Sequence, residues 1–169
     1  MVKKRGRQLQ RSVGLAFYNA IEPEFNGIKI QFPGISTDVA DEEDEQWLAC
    51  YLLNTDKVKA RGGGNRMKRG LLQVSCFARF AQYNKDKQMD VCWTLADKVD
   101  ELLDEENFTV YKCGSPSGTK EVLGCVNVIS TSAQYVNEND IAKSQARGFL
   151  DPSNVHAVVV TARFQVTGN

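Results

Sequence analysis

LLQVSCFARF, residues 71–80, puts Leu72, Val74, Cys76, Ala78 and Phe80 on one side and Gln73, Ser75, Phe77 and Arg79 on the other. That period of two predicts a strand with a core against one face. Before it stands TDKVKARGGGNRMKR, residues 55–69, where three successive glycines and six basic residues cannot form a buried face and predict a loop. After it, beyond the polar break QYNKDKQ, comes MDVCWTLADKVDELL, residues 89–103. Starting at Asp86 or Met89 and ending at Leu103, this run predicts a helix that buries Val91, Cys92, Leu95, Ala96, Val99, Leu102 and Leu103. At about 100° per residue, Asp90, Asp97, Asp100, Glu101 and Asp104 gather on its opposite side with Trp93 close by.

Working outward, Gln8 to Ile21 carries Leu9, Val13, Ala16, Phe17, Ala20 and Ile21, the stripe of a helix laid on a core, and Pro23 ends it. GIKIQFPG, from Gly27, reads as a short strand and a turn. QWLACYLLN, from Gln46, is apolar on both alternating faces, which predicts a strand covered on two sides near the sheet centre. FTVYKC, EVLGCVNVISTSAQYV and VHAVVVTARFQV supply three more strands, the first two joined through GSPSG. The sum is one α+β domain over residues 1–169, a mixed or antiparallel sheet of about six strands with two main helices packed on one face. Residues 1–7 are expected as a basic arm, 55–69 as a mobile basic loop and 137–154 as a surface insertion.

The formal net charge is zero, but the charges stand in blocks. Five basic residues and no acid lie between Met1 and Ala20, residues 41–45 are DEEDE, and seven acids face Lys98 alone between Asp90 and Glu106. The five cysteines, Cys50, Cys76, Cys92, Cys113 and Cys125, are too far apart in sequence for a metal pair and read as buried free thiols. His156, the single histidine, begins a strand and reads as an edge-of-core residue, while Trp47 reads as core. No nucleophile motif or phosphate-binding glycine pattern occurs, so no catalytic, cofactor-binding or metal-binding residue is expected, and no enzyme activity. No apolar run approaches the roughly 20 residues of a membrane-spanning helix, which predicts a product of the cytoplasm without membrane contact.

The order of elements resembles the tail terminator proteins of tailed bacteriophages, the gpU-like family. The resemblance rests on an amphipathic N-terminal helix and a strand, then Trp47 in the next strand. A loop follows, with Gly70, Gln73, Val74 and Phe77 after it, Leu95, Ala96 and Asp97 in the helix, and Phe108 opening a further strand. It covers roughly residues 8–110. The resemblance implies a structural virion protein at the head-proximal end of the tail. Such a protein forms a hexameric ring that caps the tail tube, ends its polymerisation and joins it to the head connector. Its partners would be further copies of itself, the tail tube protein and a connector or neck protein, with nonspecific contact to DNA in the lumen. A tail completion or neck protein, and a small nucleic-acid-binding module using the basic segments, are the alternatives.

A ring of identical subunits needs two different surfaces that fit each other around a closed rotation, and segregated charge offers such a pair. The expected interface sets Lys57, Lys59, Arg61, Arg66, Lys68 and Arg69 against Asp90, Asp97, Asp100, Glu101 and Asp104 of a neighbouring subunit or of the tube, with Trp93 as apolar anchor. An ordinary solvated helix face, or a carboxylate site for a divalent cation, competes for the same acids.

Overall fold

A computed structural model describes residues 2–41, 43–58, 67–79, 85–113, 120–136 and 155–168. Helix α1 (Val2–Ile21) runs into a short 3-10 turn, Glu22–Glu24. Strands β1 (Lys29–Gln31), β2 (Gln46–Val58) and β3 (Met67–Arg79) follow, then α2 (Lys85–Leu103), β4 (Asn107–Tyr111), β5 (Val122–Val136) and β6 (Val155–Gly168). The six strands form one sheet in the order β1-β2-β3-β6-β5-β4, antiparallel throughout except for the parallel pair β1 and β2. This is the expected α+β architecture.

Both helices lie on one face. The main core joins Val13, Phe17 and Ile21 of α1 and Cys92, Leu95, Ala96, Val99 and Leu103 of α2 to the inward residues of the sheet, among them Leu72, Val74, Cys76, Val158, Val160 and Phe164. The alternation in 71–79 decides this outcome, since Leu72, Val74, Cys76 and Ala78 face the helices while Gln73, Ser75 and Phe77 take the other side. Helix α1 starts well before its apolar stripe, at Val2, in a stretch rich in the good helix formers Lys, Arg and Gln. Phe80 lies outside the described residues, as do 59–66 and 137–154.

Aromatic rings join α1 to distant strands. Phe17 meets Phe108 of β4 edge-on at 5.6 Å and Phe164 of β6 at 5.1 Å. Phe164 in turn lies over Gly70, its direct cross-strand neighbour in β3. A Cβ on Gly70 would stand 2.6 Å from the Cζ of that ring. The glycine is therefore required by the close approach of an aromatic side chain and not by a turn.

The structure corrects the expectation for β2. It is not central: β3 and β6 hold the middle, and β2 lies one place from the edge, beside a three-residue β1. Its two apolar faces have separate causes. Leu48 and Cys50 enter the main core, while Trp47 and Ala49 join Phe77, Val155 and Ala157 in a second cluster on the opposite face. That outer cluster is covered by the segment leading into β2, from which Ala40 packs against it.

All five cysteines are free, with Cys50, Cys76 and Cys92 buried and Cys113 and Cys125 half-buried. Burial pushes the Cys50 and Cys92 thiols up to about 12, and that of Cys76 upward too, because a thiolate would lose its hydration. Alkylation of the native protein at pH 8, followed by peptide mass spectrometry, will label Cys113 and Cys125 first and leave Cys50, Cys76 and Cys92 unlabelled until unfolding. Gly70→Ala will destabilise the fold by about 1–3 kcal/mol, the usual range for forcing a group into a packed core. The denaturant midpoint will report it, and a midpoint equal to wild type would contradict the packing of Phe164 on Gly70.

Candidate interaction surfaces

The acidic face expected of α2 is present. Asp90, Asp97, Glu101 and Asp104 are exposed, Asp100 is half-buried, and Trp93 is 37% exposed beside them. The face survives because the same helix spends its apolar positions on the sheet. Lys98 leaves the acids and turns back to the carbonyl of Glu24, with its Nζ 4.9 Å from the Phe25 ring centre. It ties α2 to the 3-10 turn that follows α1 and does not neutralise the acids. Asp104 accepts a hydrogen bond from the Thr131 hydroxyl at 3.2 Å. Among the described residues, Asp90, Asp97, Asp100 and Glu101 form no ion pair.

The basic set is divided. Lys57 stands on β2 opposite Lys68 on β3, and Arg69 is opposite Asp56 across a register shift between Leu53 and Asp56. The strands thus continue into segment 55–69, and Lys59, Arg61 and Arg66 lie outside the described residues. Arg69 precedes Gly70, which faces the core, so its exposed side chain belongs to the outer face of the sheet, opposite the side that carries α2. Within one chain, Arg69 and the acids of α2 are separated by the sheet. Arg163 was not singled out in the sequence, yet its alternation with Ala162 and Phe164 marks it as a companion on the same outer face.

The acidic run at 41–45 behaves differently. Lys29 Nζ sits between Asp41 and Asp44 at 2.8 and 2.9 Å. The Arg79 guanidinium donates to the carbonyls of Asp41 and Asp44 at 2.7 and 3.2 Å and lies 5.6 Å from the Trp47 ring centre. Trp47 stacks on Phe77 at 5.0 Å. Two residues of this charge block, Asp41 and Asp44, therefore help close a cover over the outer cluster. Its hydrogen bond to Lys29 holds the Asp41 carboxyl below its ordinary value, and the bonds to Asp41 and Asp44 raise Lys29 above its own. Asp41 is depressed, so its contribution is present above the unfolded carboxylate pKa and is lost as pH falls through the folded value. Lys29 is raised, so its contribution holds below the unfolded lysine pKa and fades as pH rises through the folded one.

His156 is buried, and its Nδ1 is 2.9 Å from the Tyr135 hydroxyl, while the Cys92 thiol donates to its backbone carbonyl. Among the described residues, no group of three or more His, Cys, Asp or Glu is placed to hold a metal ion, and no helix is long and apolar enough to cross a membrane.

Two helices on one face of a six-stranded, mainly antiparallel sheet define an α+β domain. Solved structures share it along nearly the whole chain. One, without a functional description, is 16% identical and matches with a TM-score of 0.56 over 93% of this chain and 94% of its own. Another is a chain from the virion of a native gene transfer agent particle, 10% identical, TM-score 0.55, over 95% of this chain and 98% of its own. No protein-family model matches the sequence, and neither does any curated protein.

The two tryptophans have opposite environments, since Trp47 is 2% exposed and Trp93 37%. Acrylamide will quench one emission component and spare the other, and Trp93→Phe will remove the quenchable component. If the remaining emission of that variant is as accessible as free tryptophan, the cover over Trp47 is wrong.

Proposed function

We propose that this chain is a structural subunit of a phage-like virion, working by assembly, and that it acts as a tail terminator. In this role, copies form a ring, taken as hexameric, that caps the tail tube and joins it to the head connector. The observation that carries the reading is the likeness to a gene transfer agent virion chain over 95% of this chain and 98% of that one. A match of this extent leaves little of either domain outside the shared fold. The order of sequence elements that resembles gpU-like proteins supports the finer assignment.

The charge distribution supports closure by side-chain surfaces. Arg69 lies on the sheet face opposite the acids of α2, and a head-to-tail neighbour would bring the basic segment and those acids together. Exposed pairs contribute only about 0–1 kcal/mol each. Orientation and association rate are their main effects, and Trp93 supplies the apolar contact. The gene transfer agent likeness names a whole particle and no position in it, so a tail completion or neck protein is the second reading.

Native mass measurement and negative-stain imaging, with and without tail tube protein, test this proposal. The expected result is six-fold rings at tube ends; a lasting monomer in the presence of tubes would exclude the terminator role. Rings at the connector and never on tubes would select the neck protein. The triple change Arg66→Glu, Lys68→Glu and Arg69→Glu will preserve the circular dichroism spectrum and abolish rings, and rings that survive it rule out the basic segment as the interface.

A further inference from the structure

Strand β4 is the last in the sheet, and among the described residues nothing pairs with its outer edge. The hydrogen bonds to β5 fix which groups face outward. The Val128 N–H donates to the Glu106 carbonyl at 2.9 Å, and the Lys112 N–H to the Glu121 carbonyl at 2.8 Å. Antiparallel strands alternate, so Phe108 and Val110 turn their main-chain groups toward β5, and Asn107, Thr109 and Tyr111 present theirs to the open side. Sequence does nothing to blunt this edge. Asn107–Tyr111 is NFTVY, with no proline and no charge, and the register shift between Val110 and Tyr111 puts the extra residue, Leu123, on β5 and not on β4, whereas exposed edges in proteins that stay single are commonly guarded by such features. By contrast, the part of β2 beyond its short pairing with β1 carries an irregularity between Leu53 and Asp56.

A groove of about 300 Å³ runs beside the edge, between β4 and the flank of α1 formed by Leu15, Ala16, Asn19 and Ala20. Charge is arranged antisymmetrically about the strand. Exposed Glu105 and Glu106 precede it; Lys112 and Lys120 stand at its other end, Lys112 bridged to Glu121 at 2.6 Å and Lys120 lying 5.2 Å from the Tyr111 ring centre. Glu105 also holds a left-handed backbone, φ 54°, where glycine would be less strained.

We propose that β4 is the docking edge for a second copy of this chain, the two β4 strands pairing antiparallel about a two-fold axis at Thr109. The chain's own pattern selects this occupant. Antiparallel self-pairing sets Asn107 opposite Tyr111 and Thr109 opposite itself, forming about six main-chain hydrogen bonds. It brings Glu105 and Glu106 of each copy level with the Lys112 and Lys120 end of the other, whereas a parallel approach would set like ends together. Both helices remain on one side of the joined sheet, where the small side chains of Ala16 and Ala20 leave room for two α1 helices to approach. The pairing does not depend on the ring reading: it would join free subunits, or two rings face to face.

Sedimentation of the full chain across concentration, without tube protein, tests it. The wild type will pass from monomer to dimer as concentration rises. Thr109→Pro removes an N–H that β5 does not use, so it will preserve the fold and weaken the dimer by about tenfold or more. Glu106→Lys will weaken the dimer as well, and adding Lys120→Glu to it will restore association. A wild type that stays monomeric into the millimolar range, or a folded Thr109→Pro variant that dimerises as tightly as wild type, overturns the proposal. Six-fold rings formed by Thr109→Pro on tubes would leave the terminator reading intact while the edge pairing is lost, so the two stand or fall separately.

Discussion

The sheet is organised by one line of contacts, Gly70 under Phe164, Phe164 against Phe17, and Phe17 against Phe108. It crosses from β3 through β6 and α1 to β4, tying four elements that are distant in sequence. Interiors are packed at crystal-like density, so a ring lying on a glycine sets the height at which the helix above it can rest. Helix α1 then lies close to both margins of the sheet. On one side Phe17 reaches β4, and on the other Gly14 approaches Ile35 and Leu52. The position of α1 is what gives the domain two bordered margins and one shared core.

The second constraint acts on the opposite face. A sheet covered by helices on one side usually shows water the other, yet Trp47, Phe77, Val155 and Ala157 are buried there. The cover is a loop held by charged groups, with Lys29 between two carboxylates and Arg79 on two carbonyls. Each exposed ion pair contributes little by itself. Several contacts sharing one short loop keep an aromatic stack dry, and the burial of the rings supplies the larger stabilisation. Their price is a run of acids that no longer faces outward as a block.

This explains what could be read in the sequence. Alternation in 71–79, the helical stripes of 8–21 and 89–103 and the three late strands are local patterns, and each appears where its period places it. The acidic face of α2 was legible for the same reason, since the angular spacing of Asp90, Asp97, Glu101 and Asp104 needs no knowledge of the rest. The position of β2 was not. Apolar residues on both faces of a strand suggest a central place, but a cover contributed by the preceding loop has the same signature. Nor does DEEDE announce that Asp41 and Asp44 will meet Lys29, a pairing created by the parallel register of β1 on β2.

Strand direction finally separates two kinds of contact that copies of this fold would make. From β2 through β3, β6 and β5 to β4, four successive antiparallel steps leave β4 running in the same direction as β2. Joining the β4 edge of one copy to the β2 edge of the next, with helices kept on one side, would therefore make a parallel pair. That arrangement sets the Lys112 end of β4 beside the Lys57 end of β2, like charge against like, and meets β1 where β2 is already paired. An antiparallel joint between those edges would turn alternate copies over, an operation that builds a filament and not a ring. A closed ring of this fold would thus rely on side-chain surfaces such as the acidic face of α2, and main-chain pairing at β4 is suited to a two-fold contact.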